Sequence, residues 1–118
     1  KNILADWGIV VTLEESEDKQ TKAHKLSAAF DMDKIEGNII LRQRVDGDRI
    51  KPMGMEGTKK VKDLFIDKKI PREERVKVPI ISDQKGIIWI PGYAASREYR
   101  VEPATRRIIV IKIERIAE

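Results

Sequence analysis

Residues 42–77, RQRVDGDRIKPMGMEGTKKVKDLFIDKKIPREERVK, join a turn-rich segment to two short helical patterns and hold most of the positive charge of the chain. They contain twelve Lys or Arg and seven Asp or Glu, a net charge of +5. The residues before them carry −3 and the residues after them +2, within a total of +4. Cations clustered on backbone that turns at glycine and proline predict a surface for phosphate groups.

Length and composition limit the class of protein. The 118 residues suffice for a core, and we expect a single domain over residues 1–118. The absence of cysteine excludes disulfides and thiolate zinc sites, and the single histidine excludes a His-rich metal cluster. No apolar run approaches the ~20 residues that span a bilayer. Because the chain begins at Lys1 in place of methionine and enters a strand pattern almost at once, we expect a piece of a longer protein.

Short β-branched runs predict about seven strands. The nearly apolar-free residues 14–25 predict a loop or an exposed hairpin tip, with the following strand returning from it. Residues 84–86 predict a hairpin turn. The last strand has apolar residues on both faces, so both faces are expected to be buried. The predicted strands are residues 9–13, 26–32, 39–42, 80–81, 87–90, 99–101 and 108–113.

Two short helical patterns lie between these strands. Thr58 is a good N-cap for a helix to about residue 66. Three apolar residues of that helix recur at i, i+3 and i+4 and predict one buried stripe, Val61, Leu64 and Phe65. Pro71 suits the first turn of a second helix. The predicted fold class is therefore α+β: a β-rich, sandwich-like domain of about seven short strands, with one or two short helices inserted around residues 58–76.

The glycines of Gly54-Met55-Glu56-Gly57 are similar to a phosphate-binding loop, but they do not form a Walker A motif. That motif requires four residues between its glycines, followed by Lys and Ser or Thr. Backbone N–H groups at the start of the Thr58 helix could still hold one phosphate, assisted by Lys59. The alternative is a tight turn followed by an N-cap.

The sequence predicts neither catalytic residues nor a metal site. His24 lies in a polar stretch without an orienting partner. The acidic pairs Asp46/Asp48 and Glu73/Glu74 lie among arginines, so salt bridges that hold the loops are their favoured role.

Basic side chains of residues 42–77 are the candidates for nucleic-acid binding. Arg42 and Arg44 are two apart at a strand end, so they point to one face, and Arg49 and Lys51 repeat this spacing. Arginine suits bidentate phosphate contact, although Arg42, Arg49 and Arg75 could instead stabilise the fold, Arg49 by pairing with a neighbouring aspartate. The predicted set is Arg42, Arg44, Arg49, Lys51, Lys59, Lys60, Lys62, Lys69, Arg72 and Arg75.

Two aromatic residues are secondary candidates. Trp89 and Tyr93 flank Pro91-Gly92 and could stack on a base. The position of Trp89 inside an apolar strand favours the core.

Several motifs together resemble the C-terminal domain of tRNA(Ile)-lysidine synthetase. They are RQRVDGDR (42–49), KPMGM (51–55), GTKKVKD (57–63), DKKIPREER (67–75) and IWIPG (88–92). The resemblance covers a family-like core of residues 41–113, preceded by a variable, strand-rich lead-in of residues 1–40.

The resemblance implies a non-catalytic tRNA-binding domain of a cytoplasmic, ATP-dependent ligase. The family's enzyme attaches lysine to the wobble cytidine of a minor isoleucine tRNA. ATP and Mg²⁺ belong to the family's N-terminal catalytic domain, whose Ser-Gly-Gly-x-Asp-Ser loop is not found in this sequence. The implied partners are the acceptor stem of that tRNA and the enzyme's own catalytic domain.

Two other functions stay open. The chain could be a structural or dimerisation module that packs on the catalytic domain, or on a second copy, without binding RNA independently. It could also be a self-sufficient enzyme, against which the missing loop argues.

Overall fold

The computed structural model describes residues 2–4, 9–17 and 26–115. The chain divides into two compact units, unit 1 (Lys1–Lys34 and Arg100–Glu118) and unit 2 (Ile35–Tyr99). The prediction of a single domain over residues 1–118 stays a prediction. In chain order the elements are β1 (Asn2–Leu4), β2 (Ile9–Ser16), β3 (Ser27–Asp31), β4 (Ile40–Arg42), β5 (Arg49–Ile50), β6 (Lys59–Lys60), α1 (Val61–Asp67), α2 (Arg72–Arg75), β7 (Ile80–Ser82), β8 (Ile87–Ile90), β9 (Ala94–Ala95) and β10 (Ile108–Arg115).

Unit 1 is an antiparallel sheet with the strand order β1-β2-β10-β3. The alternating apolar residues of β10 are buried on both faces, as predicted. Ile111 is fully buried, and Val110 on the opposite face is 5% exposed. A strand that is apolar on both faces suits a central place in a sheet, where neighbours pair with both of its edges.

Of the two alternatives left open for residues 14–25, the hairpin is wrong, because β2 and β3 do not pair with each other. Both strands pair with β10, which lies between them, so Ile111 faces Leu13 on one side and Ala28 on the other. The physical reason is the two-sided apolar character of β10, which fits the centre of the sheet better than its edge. The predicted loop or hairpin tip is also partly wrong, since β2 continues through Ser16. Residues 18–25, with His24, lie outside the described residues.

Unit 2 contains a four-stranded antiparallel sheet of order β4-β7-β8-β9 and a separate two-stranded ribbon, β5-β6. The hairpin turn predicted at residues 84–86 is confirmed, because Asp83 N–H donates to the Gly86 carbonyl at 2.9 Å between β7 and β8. Trp89 is 4% exposed and belongs to the core, as its apolar strand indicated. The apolar cluster of this unit is formed by Ile50, Val61, Leu64, Phe65, Ile70, Val78, Ile80, Ile87 and Ile90.

The two short helices are confirmed, but the predicted N-cap is wrong. The apolar stripe of α1 is buried as expected. The helix begins at Val61 rather than after Thr58, and no side chain caps it. Lys59 and Lys60 instead extend the chain as β6, and the N–H of Val61 donates to the Asp48 carbonyl at 3.0 Å. Tertiary pairing with β5 therefore takes the place of the local cap. Pro71 is the N-cap residue of α2.

The strand predicted at residues 99–101 is also wrong. Arg97–Tyr99 is a 3₁₀ helix, in which the Tyr99 N–H donates to the Ser96 carbonyl at 3.4 Å. The Tyr99 side chain is 2% exposed, and its hydroxyl donates to Asp83 at 2.7 Å. This buried polar contact fixes the direction of the segment, which β propensity alone did not indicate.

The predicted β-rich α+β class is confirmed by these antiparallel sheets and two short helices. Among the described residues, no helix is both long and apolar enough to cross a bilayer.

Candidate nucleic-acid interface

The first loop of the basic segment turns around the carboxylate of Asp48. Arg42 donates two hydrogen bonds to it, at 2.9 and 3.0 Å, and the Val45 N–H donates a third at 2.9 Å. The predicted turn is confirmed by the Asp48 N–H donating to the Val45 carbonyl at 3.2 Å and by Gly47, whose φ of 91° is available to glycine without strain. The clamp foreseen for Arg49 is thus formed by Arg42.

The charge of Asp48 is stabilised in the folded protein. Burial alone would raise its pKa, but the hydrogen bonds from Arg42 and the Val45 N–H, together with the charges of Arg42 and Arg44, leave the pKa below its ordinary value. Arg42 is therefore a structural residue of the loop rather than a free cation.

Asp83 organises the turn between β7 and β8 in the same way. Its carboxylate accepts hydrogen bonds from the N–H groups of Glu36, Lys85 and Gly86 at 2.8–2.9 Å and from the Tyr99 hydroxyl at 2.7 Å. Burial would raise the pKa of Asp83, but these donors lower it below its usual range. Burial and the contact with Asp83 raise the pKa of Tyr99. The hairpin turn and the 3₁₀ helix are joined at this carboxylate.

The β5-β6 ribbon brings two predicted cations together. Arg49 lies directly opposite Lys60, so both exposed side chains leave the ribbon on the same face. Like charges in this position disfavour strand pairing. Neither side chain forms an ion pair with any residue that the structure describes. An anion bound between them would remove the repulsion.

A cavity of about 360 Å³ beside β5 extends this positive surface. Its lining includes Arg49, Lys51 and Lys85, with Glu98 and the Tyr99 ring. Lys51 donates to Glu98 at 3.0 Å, and this hydrogen bond lowers the pKa of Glu98. Lys85 lies 4.8 Å from the centre of the Tyr99 ring, and sequence reasoning did not select it. The one sequence feature that could have selected Lys85 is its position in the predicted hairpin turn at residues 84–86.

Further exposed cations lie on and after the two helices. They form no ion pair within the described part of the chain. Lys68 was not among the predicted site residues, whereas the other three were. These side chains are Lys62, Lys68, Lys69 and Arg72.

Lys69 adopts a backbone conformation that usually requires glycine. Its φ is 56°, the one positive value of a non-glycine residue in residues 2–4, 9–17 and 26–115. The N–H groups of Lys69 and Ile70 donate to the carbonyls of Ile66 and Phe65, which is the Schellman pattern that closes a helix. Lysine in this position holds a cation at the carboxyl end of α1 at a cost of about 1 kcal/mol in backbone strain.

The remaining predicted cations make contacts within the fold. Arg75 Nε donates to the Ile70 carbonyl at 2.9 Å, and Lys59 pairs with Asp67. Arg44 lies 3.4 Å from the fully exposed Asp46 carboxylate, a contact of small energetic value. Arg75 and Lys59 thus hold the surface in shape, in contrast to the unpaired cations beside them.

Arg97 is a structural residue that the sequence did not reveal. Its guanidinium donates to the carbonyls of Met55 and Gly57, at 3.1 and 2.7 Å, and fixes the glycine-containing loop from forty residues away. No local pattern indicated this contact. The helix start at Thr58 on which a phosphate site was considered is not formed, because α1 begins at Val61.

In the part of the chain that the structure describes, no cluster of three or more His, Cys, Asp or Glu residues has the arrangement of a metal site. The Asp46/Asp48 pair is divided between Arg44 and Arg42, in keeping with the salt-bridge role that its arginine neighbours indicated.

Comparison with known proteins gives one consistent family. The family model described as TilS substrate C-terminal domain matches residues 39–113. A tRNA(Ile)-lysidine synthase of Caldanaerobacter subterraneus subsp. tengcongensis is 49% identical over 83 residues, which are 70% of this chain and 18% of the relative. That of Clostridium tetani is 54% identical over 85 residues, 72% of this chain and again 18% of the relative. The chain therefore spans about a fifth of the length of these curated relatives.

One solved structure agrees with this assignment, and a second shares the fold alone. The crystal structure of a TilS C-terminal domain superimposes with a TM-score of 0.83 at 32% identity, covering 95% of this chain and 88% of that one. An N-terminal fragment of the phenylalanyl-tRNA synthetase β-subunit from Pyrococcus horikoshii shares the fold, with a TM-score of 0.61 at 18% identity over 77% of this chain and 28% of that one. The resemblance found in the sequence motifs is confirmed, and the chain belongs to the family of TilS substrate C-terminal domains.

Proposed function

We propose that this chain is a non-catalytic tRNA-binding domain of a tRNA(Ile)-lysidine synthase, and that it grips the acceptor stem of a minor isoleucine tRNA. The observation that carries the proposal is the set of exposed basic side chains of unit 2 that pair with no carboxylate among the described residues: Arg49, Lys60, Lys62, Lys68, Lys69 and Arg72. Unit 2 holds fourteen Lys and Arg against ten Asp and Glu, which accounts for the whole net charge of +4.

The physics of duplex RNA supports this role. The major groove of an A-form stem is too narrow for side chains, so proteins contact its phosphates and the 2′-hydroxyls of its shallow minor groove. Such recognition requires cations on a rigid surface. Asp48 and Asp83 supply that rigidity, because each carboxylate holds several loop groups in place.

The unpaired cations define the contact set that we propose. We exclude Arg42 and Arg75 from this set as primary contacts, because Arg42 already donates hydrogen bonds to Asp48 and Arg75 donates one to the Ile70 carbonyl. Arg49 and Lys60 lie at its centre, because they share a ribbon face and repel each other until an anion binds.

The activity of the whole enzyme is also part of the proposal. The relatives are named for the formation of lysidine in tRNA(Ile). We assign ATP and Mg²⁺ to the catalytic part of such an enzyme, in the cytoplasm, and we assign no catalytic residue to this chain.

Binding of the chain to two tRNAs tests the proposal. The minor isoleucine tRNA and the methionine tRNA are titrated at two salt concentrations against the wild type and the variant Arg49→Ala/Lys60→Ala/Lys62→Ala/Arg72→Ala. We expect salt-dependent binding that the variant loses, because each phosphate contact releases counterions. Tighter binding of the isoleucine tRNA would assign discrimination to this domain.

The alternative function is a structural module that packs on the catalytic domain or on a second copy. It predicts no binding of either tRNA at low salt, and in the case of a dimer it predicts twice the monomer mass by light scattering. The proposed contact set would also be contradicted if the wild type and the variant bound either tRNA with equal affinity.

A further inference from the structure

Three large apolar side chains of unit 2 converge on one exposed groove of about 460 Å³. They are Met53, Met55 and Tyr93, which are 42%, 50% and 36% exposed. Leu64, a core residue of α1, also lines the groove. Its volume is within the range of about 300–1,000 Å³ that is typical of small-ligand pockets. Exposed apolar surface gathered in one concavity indicates a binding site.

The groove is held open by contacts that do not involve its apolar side chains. Arg97 donates to the carbonyls of Met55 and Gly57, so the loop that carries both methionines is fixed. The Met53 N–H donates to the Ala95 carbonyl at 2.9 Å, which joins this loop to β9. The two walls are thus hydrogen-bonded to each other, and the site exists before a ligand binds.

Tyr93 gives the groove an aromatic wall. Its ring packs on the fully buried Phe65, with 6.3 Å between ring centres and an angle of 60°. The Tyr93 N–H donates to the Ile90 carbonyl at 2.9 Å, which fixes the backbone of the turn. A rigid, partly exposed aromatic ring next to polarizable thioethers suits the flat face of a nucleobase.

The charge at the rim favours an RNA ligand over an apolar protein segment. Lys59 is neutralised by Asp67, whereas Lys68 lines the same groove and has no ion-pair partner within the described residues. One uncompensated cation beside an apolar, aromatic slot matches a nucleotide, which has a base to stack and a phosphate to pair.

Arg49 and Lys60, the centre of the proposed duplex contacts, do not line the groove, whereas Lys68 of the same set does. Successive residues of a strand point to opposite faces. Lys60 shares its face with Arg49, whereas Lys59 lines the groove. A base in the groove would be bound apart from the ribbon face that holds Arg49 and Lys60, and a strand that continues past the end of the duplex can supply it unpaired.

We propose that the groove formed by Met53, Met55 and Tyr93 binds an unpaired nucleobase from the single-stranded end of the bound RNA, with Lys68 contacting its phosphate. This inference rests on the proposed RNA-binding function and adds a second, single-strand subsite to it.

Two RNAs that differ only in their ends test the subsite. One is a blunt acceptor-stem duplex, and the other carries a short single-stranded 3′ extension with 2-aminopurine as a fluorescent base. The full 118-residue chain should bind the extended RNA about tenfold more tightly, because stacking of one base on an aromatic side chain has about that effect. The fluorescence of 2-aminopurine should fall on binding.

Variants separate stacking from other roles of the groove. Tyr93→Ala should lose the advantage of the extended RNA and keep its affinity for the blunt duplex, whereas Tyr93→Phe should keep both. Met55→Glu, at a half-exposed position, should give the same selective loss by repelling the phosphate, even if Tyr93→Ala reduces stability. Val76→Ala changes an exposed apolar residue outside the groove lining and serves as the control.

The outcomes distinguish the two proposals. The nucleobase subsite is overturned if the wild type binds both RNAs equally, or if Tyr93→Ala weakens the binding of both RNAs equally. Either result leaves the proposed duplex-binding function standing. Absence of binding to the blunt duplex overturns the proposed function itself. Unchanged RNA binding in Met55→Glu, with weakened association to the catalytic part of a relative, would make the groove a protein-docking site.

Discussion

Units 1 and 2 contain the same number of acidic residues but use their basic residues differently. Each has ten Asp and Glu, whereas unit 1 has ten Lys and Arg and unit 2 has fourteen. In unit 1, four of the five basic side chains that the structure describes form ion pairs, namely Lys34, Arg100, Arg107 and Lys112. In unit 2, six exposed basic side chains have no carboxylate partner among the described residues.

This difference separates basic side chains that are paired with carboxylates from exposed ones that have no carboxylate partner among the described residues. The cations of unit 1 are compensated across strands, as in Arg107 with Glu15 and Lys112 with Glu14. In unit 2 six basic side chains also form ion pairs, Arg42, Arg44, Lys51, Lys59, Lys77 and Lys85, but six further ones are exposed without a carboxylate partner among the described residues. The predictions below test this division, from the largest effect on stability to the smallest.

Unit 1 should depend most on the apolar centre of β10. Ile111→Ala removes a fully buried side chain, so we expect the free energy of unfolding to fall by about 4 kcal/mol. Urea denaturation measures this loss. Ile111→Val should lower the free energy of unfolding by about 1 kcal/mol. If Ile111→Ala lowered it by less than about 1 kcal/mol, the burial of β10 on both faces would be contradicted.

Unit 2 should depend on the Asp83 carboxylate. Asp83→Asn keeps the shape but turns one of the two oxygens that accept from four donors into an N–H₂ group, and we expect a loss of about 3 kcal/mol in urea denaturation at neutral pH. Asp46→Asn, at a fully exposed carboxylate, is the matched control and should have almost no effect.

The same carboxylate gives a signed pH dependence. The pKa values of Asp83 and Asp48 are lowered in the folded state, so their stabilisation is complete above the unfolded pKa of about 3.9. It is lost as the pH falls from there through the folded pKa values. The wild type should therefore lose stability below about pH 4, and Asp83→Asn should lose less over that interval. An equal acid response of both proteins would contradict this assignment.

The two neighbouring arginines Arg42 and Arg49 should behave in opposite ways. Arg42→Ala breaks a two-hydrogen-bond contact with Asp48 that is partly exposed, so about 1 kcal/mol of stability should be lost. Arg49→Ala should leave stability within about 0.5 kcal/mol and weaken RNA binding. Thermal melts measure the stability of both variants, and titration measures their RNA binding. The contact set would be contradicted if Arg49→Ala lost the stability and Arg42→Ala lost the RNA binding.

These two arginines also show which features of the fold and the site can be predicted from the sequence. The Asp46-Gly47 turn, the stripe of α1, the hairpin at residues 84–86 and the two-sided burial of β10 all follow from local patterns, and the structure agrees. The choice of Arg42 over Arg49 as partner of Asp48 depends on the path of the chain between two strands, which local spacing does not determine.

Long-range contacts account for the remaining errors. Pairing of β3 with β10 joins residues some eighty positions apart, and the hydrogen bond from Tyr99 to Asp83 outweighs the strand propensity of its segment. Arg97 and Lys85 were missed as site-forming residues because their roles depend on a distant loop and a distant ring. The motif resemblance succeeded where local rules failed, since it reflects the whole fold.

The smallest expected effect concerns Lys69. Lys69→Gly removes the strain of a positive φ, so stability should rise by about 0.5–1 kcal/mol, partly offset by the freedom that glycine gains on unfolding. RNA binding should weaken at the same time, because a surface cation is lost. Lys60→Gly, at an extended position, should weaken RNA binding without stabilising the protein. A Lys69→Gly variant that gains stability at full RNA affinity would assign Lys69 no role in binding.

The most direct test of the division between the units is the salt dependence of binding to a blunt acceptor-stem duplex. The two proteins to compare are Arg49→Ala/Lys60→Ala in unit 2 and Arg106→Ala/Lys112→Ala in unit 1, which remove the same charge. We predict that the unit 2 variant lowers the slope of log K against log salt by about two, while the unit 1 variant leaves it unchanged. Equal slopes in the two variants would contradict the account.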